Sequence, residues 1–354
     1  MQSLPVNQGY RKSGVSFRWL LAVLYFLFMC ILMVRVHNRF DTSKAAFANR
    51  TDIKAQWLDA KMLSEGKNPY TRVNDPSLSK NRLTYYFPGF LLASAASIKM
   101  GVTSFPEWMK GWRMVSMASH LLVGLVLFAL LSRSHSLLAA VLGSGIWFMS
   151  RWPLALFKSG QIDSIAIFFW LLSLLLLSRY KKLGYLSFGL SLAVKQMAIF
   201  AFPLYLLWAY QDAKPGKRLR SLMEAGFLSL LIPGLLCLPF ILWDFQSFLQ
   251  MFIFPLTRSP IGPKPVSGFL GIKGLLGALP MIVMMGMTYV VAARNQIPRY
   301  TQLLLVMCVF LSFTGVFFSR HVNWLVPFLP LVAFDATVKR PQNLSEYSGL
   351  QAAL

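Results

Sequence analysis

Long apolar runs closed by short basic turns dominate this chain. The first, WLLAVLYFLFMCILMV from Trp19 to Val34, extends to about His37. A helix needs about 20 apolar residues to cross the hydrocarbon core of a bilayer, and inside it each backbone amide must find its partner within the segment. Helices meet that condition and open sheets do not. With 56% of its 354 residues hydrophobic and 13% charged, the sequence leaves no stretch for an ordinary soluble domain. The expected fold is all-α: a polytopic transmembrane helical protein with roughly ten passes, some too short to cross alone.

Lys and Arg number 35 against 12 Asp and Glu, for a formal charge of +23. In a soluble protein this would suggest nucleic acid, but here the cations sit in connections between apolar runs. Positive-inside bias and attraction to anionic headgroups account for them, and membrane lipids are the expected partners, with no nucleic acid. An anionic substrate such as a phosphate is the other use for such charge. Cys30, Cys237 and Cys308 lie inside apolar runs and read as small core hydrophobes.

Residues 1–17, with Arg11 and Lys12, read as a cytoplasmic N-terminal segment, and the first apolar run as a retained span. Residues 18–336 form the multi-span region, with outer loops at about 38–84 and 244–273, and 337–354 a cytoplasmic tail. The segment from Leu183 to Tyr210 lies between basic clusters, so it must go out and come back, with its apex at Lys195-Gln196. It is long for one span and short for two full ones, so at least one half-length helix is expected there. Trp243 ends a span with Pro233 and Pro239 as expected kinks. The region after it, Asp244 to Lys273, shows no periodicity and reads as loop.

Acid is concentrated in one place. The stretch from Thr51 to Pro88 holds Asp52, Asp59, Glu65 and Asp75. Thr51 can cap a short helix with Asp52 in its first turn; Asp52, Gln56 and Asp59 then share a wet face, while Ile53, Trp57 and Ala60 share another. Asp52 and Asp59 stand about 10 Å apart along such a helix, too far to share a metal ion. Placing this loop and Gly160 to Asp163 at one face requires an even number of crossings between them, so Pro88 to Trp108 is expected to cross and partly return.

Ionisable groups near membrane depth need a partner or a purpose. Asp52 is a candidate general base or a helix N-terminal charge. Asp59 reads as a solvated partner of Lys61 or Arg82. Lys195 can neutralise a phosphate or snorkel from a helix end. His321 beside Arg320 can donate to the same phosphate or make a structural hydrogen bond. Gln161 and Asp163 can orient groups at the site or tie helices together, and Tyr86 opens an apolar run beside them. No GxxxxGK[ST], HExxH or dinucleotide motif occurs, which argues against nucleotide hydrolysis and zinc proteolysis.

In order along the chain, TDIKAQWLDAKMLSEGKNPY, RLTYYFPGF, SGQID, GLSLAVKQ and FFSRHVNWLVPFLPL resemble motifs of the GT-C superfamily of membrane glycosyltransferases, especially bacterial mannosyltransferase-like members that use polyprenyl-phosphate sugars. The resemblance runs from Trp19 to Phe334, with Gly89 and Gln196 standing where the family commonly has proline. It implies a multi-pass protein of a bacterial inner membrane with its site on the outer face. The activity implied is inverting transfer of a hexose such as mannose from a polyprenyl-phosphate donor to a glycan or lipid acceptor, without a metal or other cofactor. Asp52 would be the catalytic base; Lys195, His321 and Arg320 would bind the donor phosphate; and Gln161, Asp163, Asp59, Tyr86 and Arg82 would orient substrate. A transporter or flippase of a lipid-linked anionic glycan, and a non-catalytic relative, are the alternatives.

Overall fold

The computed structural model describes residues 11–38, 51–74, 86–134, 137–257, 278–313 and 319–338. Every regular element among them is helical. Among the described residues, three helical stretches are long and apolar enough to cross a membrane: Leu20–Asn38, Phe105–Arg133 and Pro215–Trp243. The other apolar helices are shorter.

Helix α1 spans Arg11–Asn38, α2 Thr51–Ser64, α3 Gly89–Lys99 and α4 Phe105–Ser134. Next come α5 (Leu137–Met149), α6 (Arg151–Lys158), α7 (Asp163–Leu177), α8 (Lys181–Val194) and α9 (Phe202–Gln211). The last five are α10 (Arg218–Trp243), α11 (Phe245–Thr257), α12 (Leu279–Ala293), α13 (Arg299–Phe313) and α14 (Phe328–Val338).

Side-chain hydrogen bonds fix the directions of these helices. Ser116 meets Ser164 at 3.0 Å, and further along the same pair of helices Arg133 Nη1 donates to the Leu175 carbonyl at 3.0 Å, so α4 and α7 run parallel. Ser191 and Ser187 donate to the carbonyls of Ala166 and Phe169, so α8 returns antiparallel to α7. Between α8 and α9 the chain turns at Lys195, whose backbone is extended (φ −156°, ψ 118°), then makes a 3₁₀ turn over Gln196–Ala201. The expected apex at Lys195-Gln196 is therefore present, and both helices that meet there, rather than at least one, are of about half length.

One end of the bundle gathers this apex, α2, α3 and the start of α4. The other gathers Arg133, Arg179, Lys181, Lys182, Lys214, Lys217 and Arg299. Helix α3 does not cross from one end to the other. At 11 residues it is about 16 Å long, and Trp108 donates to Ser94 at 2.6 Å, laying α3 against the first turns of α4 at the apex end. The crossing with partial return expected between Pro88 and Trp108 is thus replaced by a short surface helix. Parity is met by α4 going one way and α5 with α6 coming back.

The central core surrounds Trp147, Trp170, Phe188, Tyr205 and Trp324, all essentially inaccessible. Between helices in lipid, close packing substitutes for a hydrophobic drive. Gly189 shows how close: a Cβ there would lie 2.7 Å from the Ser229 carbonyl oxygen of α10.

The loop reading of residues 244–273 needs correction, because Phe245–Thr257 is helical. Asp244 accepts from the Ser247 amide at 3.0 Å and starts the helix. Its Phe248 then closes on Tyr70 together with Phe240 from the end of α10, each ring lying 5.1 Å from the Tyr70 ring. The two outer loops thus pack on each other at the apex end.

Candidate active site

Asp163 occupies the first turn of α7, where the helix presents unpaired amides and a partial positive charge, and Lys195 follows the last turn of α8, the negative end. Each charge therefore sits at the helix end that favours it. They also meet each other, Lys195 Nζ lying 2.6 Å from Asp163 Oδ1, with side-chain exposures of 2% and 0%. Trp324 Nε1 donates to the same oxygen at 2.7 Å. The second carboxylate oxygen, Oδ2, is buried with no hydrogen bond to the described residues.

Tyr86 covers Lys195. Its ring centroid stands 4.9 Å from the ammonium, a cation–π arrangement that a desolvated lysine strengthens. The backbone beside it is held in turn, since Tyr70 Oη donates to the Tyr86 carbonyl at 3.0 Å. Burial pushes the Tyr70 phenol well above its ordinary pKa, so it remains a donor throughout the working range. Two residues before Tyr70, Asn68 Oδ1 accepts from the Tyr70 amide and shapes the turn that follows α2.

Asp59 differs from its sequence reading. It is 2% exposed rather than solvated, and is paired with Arg72, itself 8% exposed. The wet face of α2 is equally mistaken, since Gln56 is 3% exposed. The 3₁₀ turn at Pro69–Asn74 folds back over that face and supplies the cation. A burial this complete requires a partner.

Two sets of contacts leave the Pro69–Asn74 turn: Arg72 reaches back to Asp59 on α2, while Tyr70 begins a line that runs to the Tyr86 carbonyl, from the Tyr86 ring to Lys195, from Lys195 to Asp163, and from Asp163 to Trp324. An apolar cluster lies alongside it. Ile53, Phe90, Trp108, Met109 and Ile162 are buried together, with Tyr86 and Val194 packed on them. Ile53 follows Asp52, Ile162 precedes Asp163 and Val194 precedes Lys195, so sequence neighbours of three candidate residues converge.

No protein-family model, curated protein or solved structure matches the chain. Function is therefore read from the site itself.

The backbone of Asp52 lies in the first turn of α2, and that of Arg320 in the 3₁₀ turn Ser319–Trp324; their side chains, and Arg82 as a whole, lie outside the described residues. His321 is half-buried in that turn. Gln161 is 6% exposed and its carbonyl accepts from Ser116 at 3.0 Å, tying the loop before α7 to α4. Gly89 has a physical reason: a Cβ there would lie 2.5 Å from the Ala193 carbonyl oxygen, at the end of α8 that presents Lys195.

Two buried groups at the site have no role in the sequence reading. Trp324 anchors Asp163, and its only sequence signal is an aromatic three residues after His321. Arg113, 1% exposed, lies 3.5 Å from His37 Nδ1 and packs beside Gly160. In sequence it is one basic residue among many.

Proposed function

We propose that this chain is an integral, multi-pass membrane glycosyltransferase of the GT-C type. It moves a hexose, with mannose the first candidate, from a polyprenyl-phosphate donor to a glycan or lipid acceptor. The reaction takes place on the non-cytoplasmic face of a bacterial inner membrane. The observation that carries this reading is the set of contacts at the apex end: Asp59 with Arg72, Tyr70 of the same 3₁₀ turn with the Tyr86 carbonyl, the Tyr86 ring with Lys195, Lys195 with Asp163, and Asp163 with Trp324. It draws on five sequence-distant segments, each bearing one of the motifs that resemble that superfamily.

The chemistry assigned to the site is an inverting displacement. An acceptor hydroxyl attacks the anomeric carbon, the bond from that carbon to the phosphate oxygen breaks, and the phosphate leaves with the electron pair. Asp52 takes the hydroxyl proton. Asp59 and Asp163 are each already engaged with a buried cation, so the acceptor proton is assigned to Asp52 and not to them. Lys195, Arg320 and His321 oppose the charge that develops on the phosphate. The Lys195 ammonium has three N–H donors, and Asp163 engages one; displacement of the Tyr86 ring would open the others. Asp163 Oδ2 retains acceptor capacity for a sugar hydroxyl. Gln161 and Asp59 hold the frame, and a lipid-linked donor keeps its tail in the bilayer.

The test is transfer of labelled hexose from a polyprenyl-phosphate donor by purified protein. Activity that Asp52→Asn reduces at least a hundredfold, with an unchanged melting profile, is the expected result. Movement of lipid between leaflets without sugar transfer would replace the transferase by a flippase, and an Asp52→Asn variant as active as the native chain would remove Asp52 as the base.

A further inference from the structure

A second candidate site lies away from Asp163. It is a cleft of about 550 Å³ at the basic end of the bundle, between the α7–α8 turn and the first turns of α10. Its cations are Arg179, Lys181 and Lys182, its hydroxyls Ser178 and Ser221, and its one acid Glu224. Arg133 joins at the edge, donating to Ser178 Oγ at 2.9 Å. Lys182 Nζ lies 3.4 Å from Glu224, leaving Arg179 and Lys181 as the cations of the lining without an acid partner among the described ion pairs. Arg179 stacks over Tyr180, which is 50% exposed at the rim.

The surroundings are apolar. Leu183 is 53% exposed beside the lining cations, and on α10 Leu219, Met223 and Phe227 are exposed at intervals of four residues, forming one stripe that leads away from the cleft. Cations and hydroxyls at a helix-bundle end, next to an exposed apolar stripe and an interfacial tyrosine, match a ligand that is anionic at one end and hydrocarbon at the other. We propose that this cleft binds the phosphate headgroup of an anionic phospholipid, with its acyl chains along Leu183 and the Leu219–Met223 stripe. A soluble phosphate would use the same cations but has no use for the stripe. Glu224 limits affinity by holding Lys182 aside. The proposal does not depend on sugar transfer, and its failure would leave the proposed activity standing.

Native mass spectrometry of the full-length protein released from detergent, titrated with phosphatidylglycerol or phosphatidylcholine, tests it. Phosphatidylglycerol adducts should predominate. Arg179→Ala and Lys181→Ala should each weaken them about fivefold, the effect of one basic residue near an anionic surface. Lys214→Ala and Arg294→Ala, at the same end but outside the lining, should change them less than twofold. Glu224→Gln should strengthen them, and it decides the matter if the cation variants fold poorly. Equal adducts with both lipids, equal losses from Lys214→Ala or Arg294→Ala, or no strengthening by Glu224→Gln would overturn the proposal. So would stabilisation of the native chain by inorganic phosphate, lost on Arg179→Ala, without any preference for phosphatidylglycerol.

Discussion

Replacing Lys195 by Met leaves Asp163 charged, inaccessible and held only by Trp324 Nε1. At the observed 2.6 Å, the gross attraction within the pair is roughly 6 kcal/mol for an effective dielectric constant of 20. Desolvation of both ions opposes it, so the net contribution of the intact pair is small. Breaking the pair is another matter: one buried charge without its partner costs about 3–5 kcal/mol. In a chain of this size that corresponds to a fall in melting temperature of about 4–7 °C. Asp163→Asn should cost a similar amount, since it strands the ammonium. The double variant Lys195→Met with Asp163→Asn should be more stable than either single, because Asn Oδ1 still accepts from Trp324 and no charge remains. Thermal unfolding of the four proteins in one detergent completes the cycle. Additive losses in the double variant would refute the reasoning, as would single variants that melt with the native chain.

Gly89→Ala should destabilise by about 1–3 kcal/mol, because its Cβ meets the Ala193 backbone at 2.5 Å, and should loosen Tyr86 over Lys195; a melting curve with and without donor lipid reads both. Arg72→Leu should expose the outer loops to limited proteolysis by breaking the buried pair with Asp59, at a cost of about 3–5 kcal/mol; Asp59→Asn with Arg72→Leu should restore much of the resistance. Hydrogen bonds from the Ser247 side chain and amide hold the Asp244 carboxyl below the usual carboxylate range. A depressed folded pKa contributes stability above the unfolded value of about 3.9 and loses it as pH falls through the folded value. Ser247→Ala should therefore raise the Asp244 pKa and flatten the acid limb of stability below about pH 4, as seen in melts between pH 3 and 6.

Much of the architecture is written in local sequence. The basic clusters around Leu183 to Tyr210, with a length too great for one span and too small for two, require an apex at Lys195 and at least one half-length helix. The charges at that apex also follow from helix ends, which explains why Asp163 and Lys195 are legible as a pair of special residues before their contact is known. What local sequence withholds is partnership across distance. Asp59 shares a helical face with Asp52 and Gln56 and so reads as solvated, but Arg72 comes from a separate turn beyond Asn68-Pro69, which no periodicity reveals. Phe245–Thr257 reads as loop because proline and glycine crowd the residues after it, and because its reason for being helical is Tyr70, far earlier in the chain. Helix α3 is apolar like a span, and only its contact with Trp108 shows that it stays at one end.

A photoreactive polyprenyl-phosphate sugar offered to the purified protein, followed by peptide mapping, tests directly whether the apex end is a donor site. Labelling is predicted on peptides containing Tyr86, Lys195 and the Ser319–Trp324 turn, with loss of label when unmodified donor competes. Competed labelling confined to the basic end around Arg179–Leu183, or no competed labelling anywhere, would contradict the assignment.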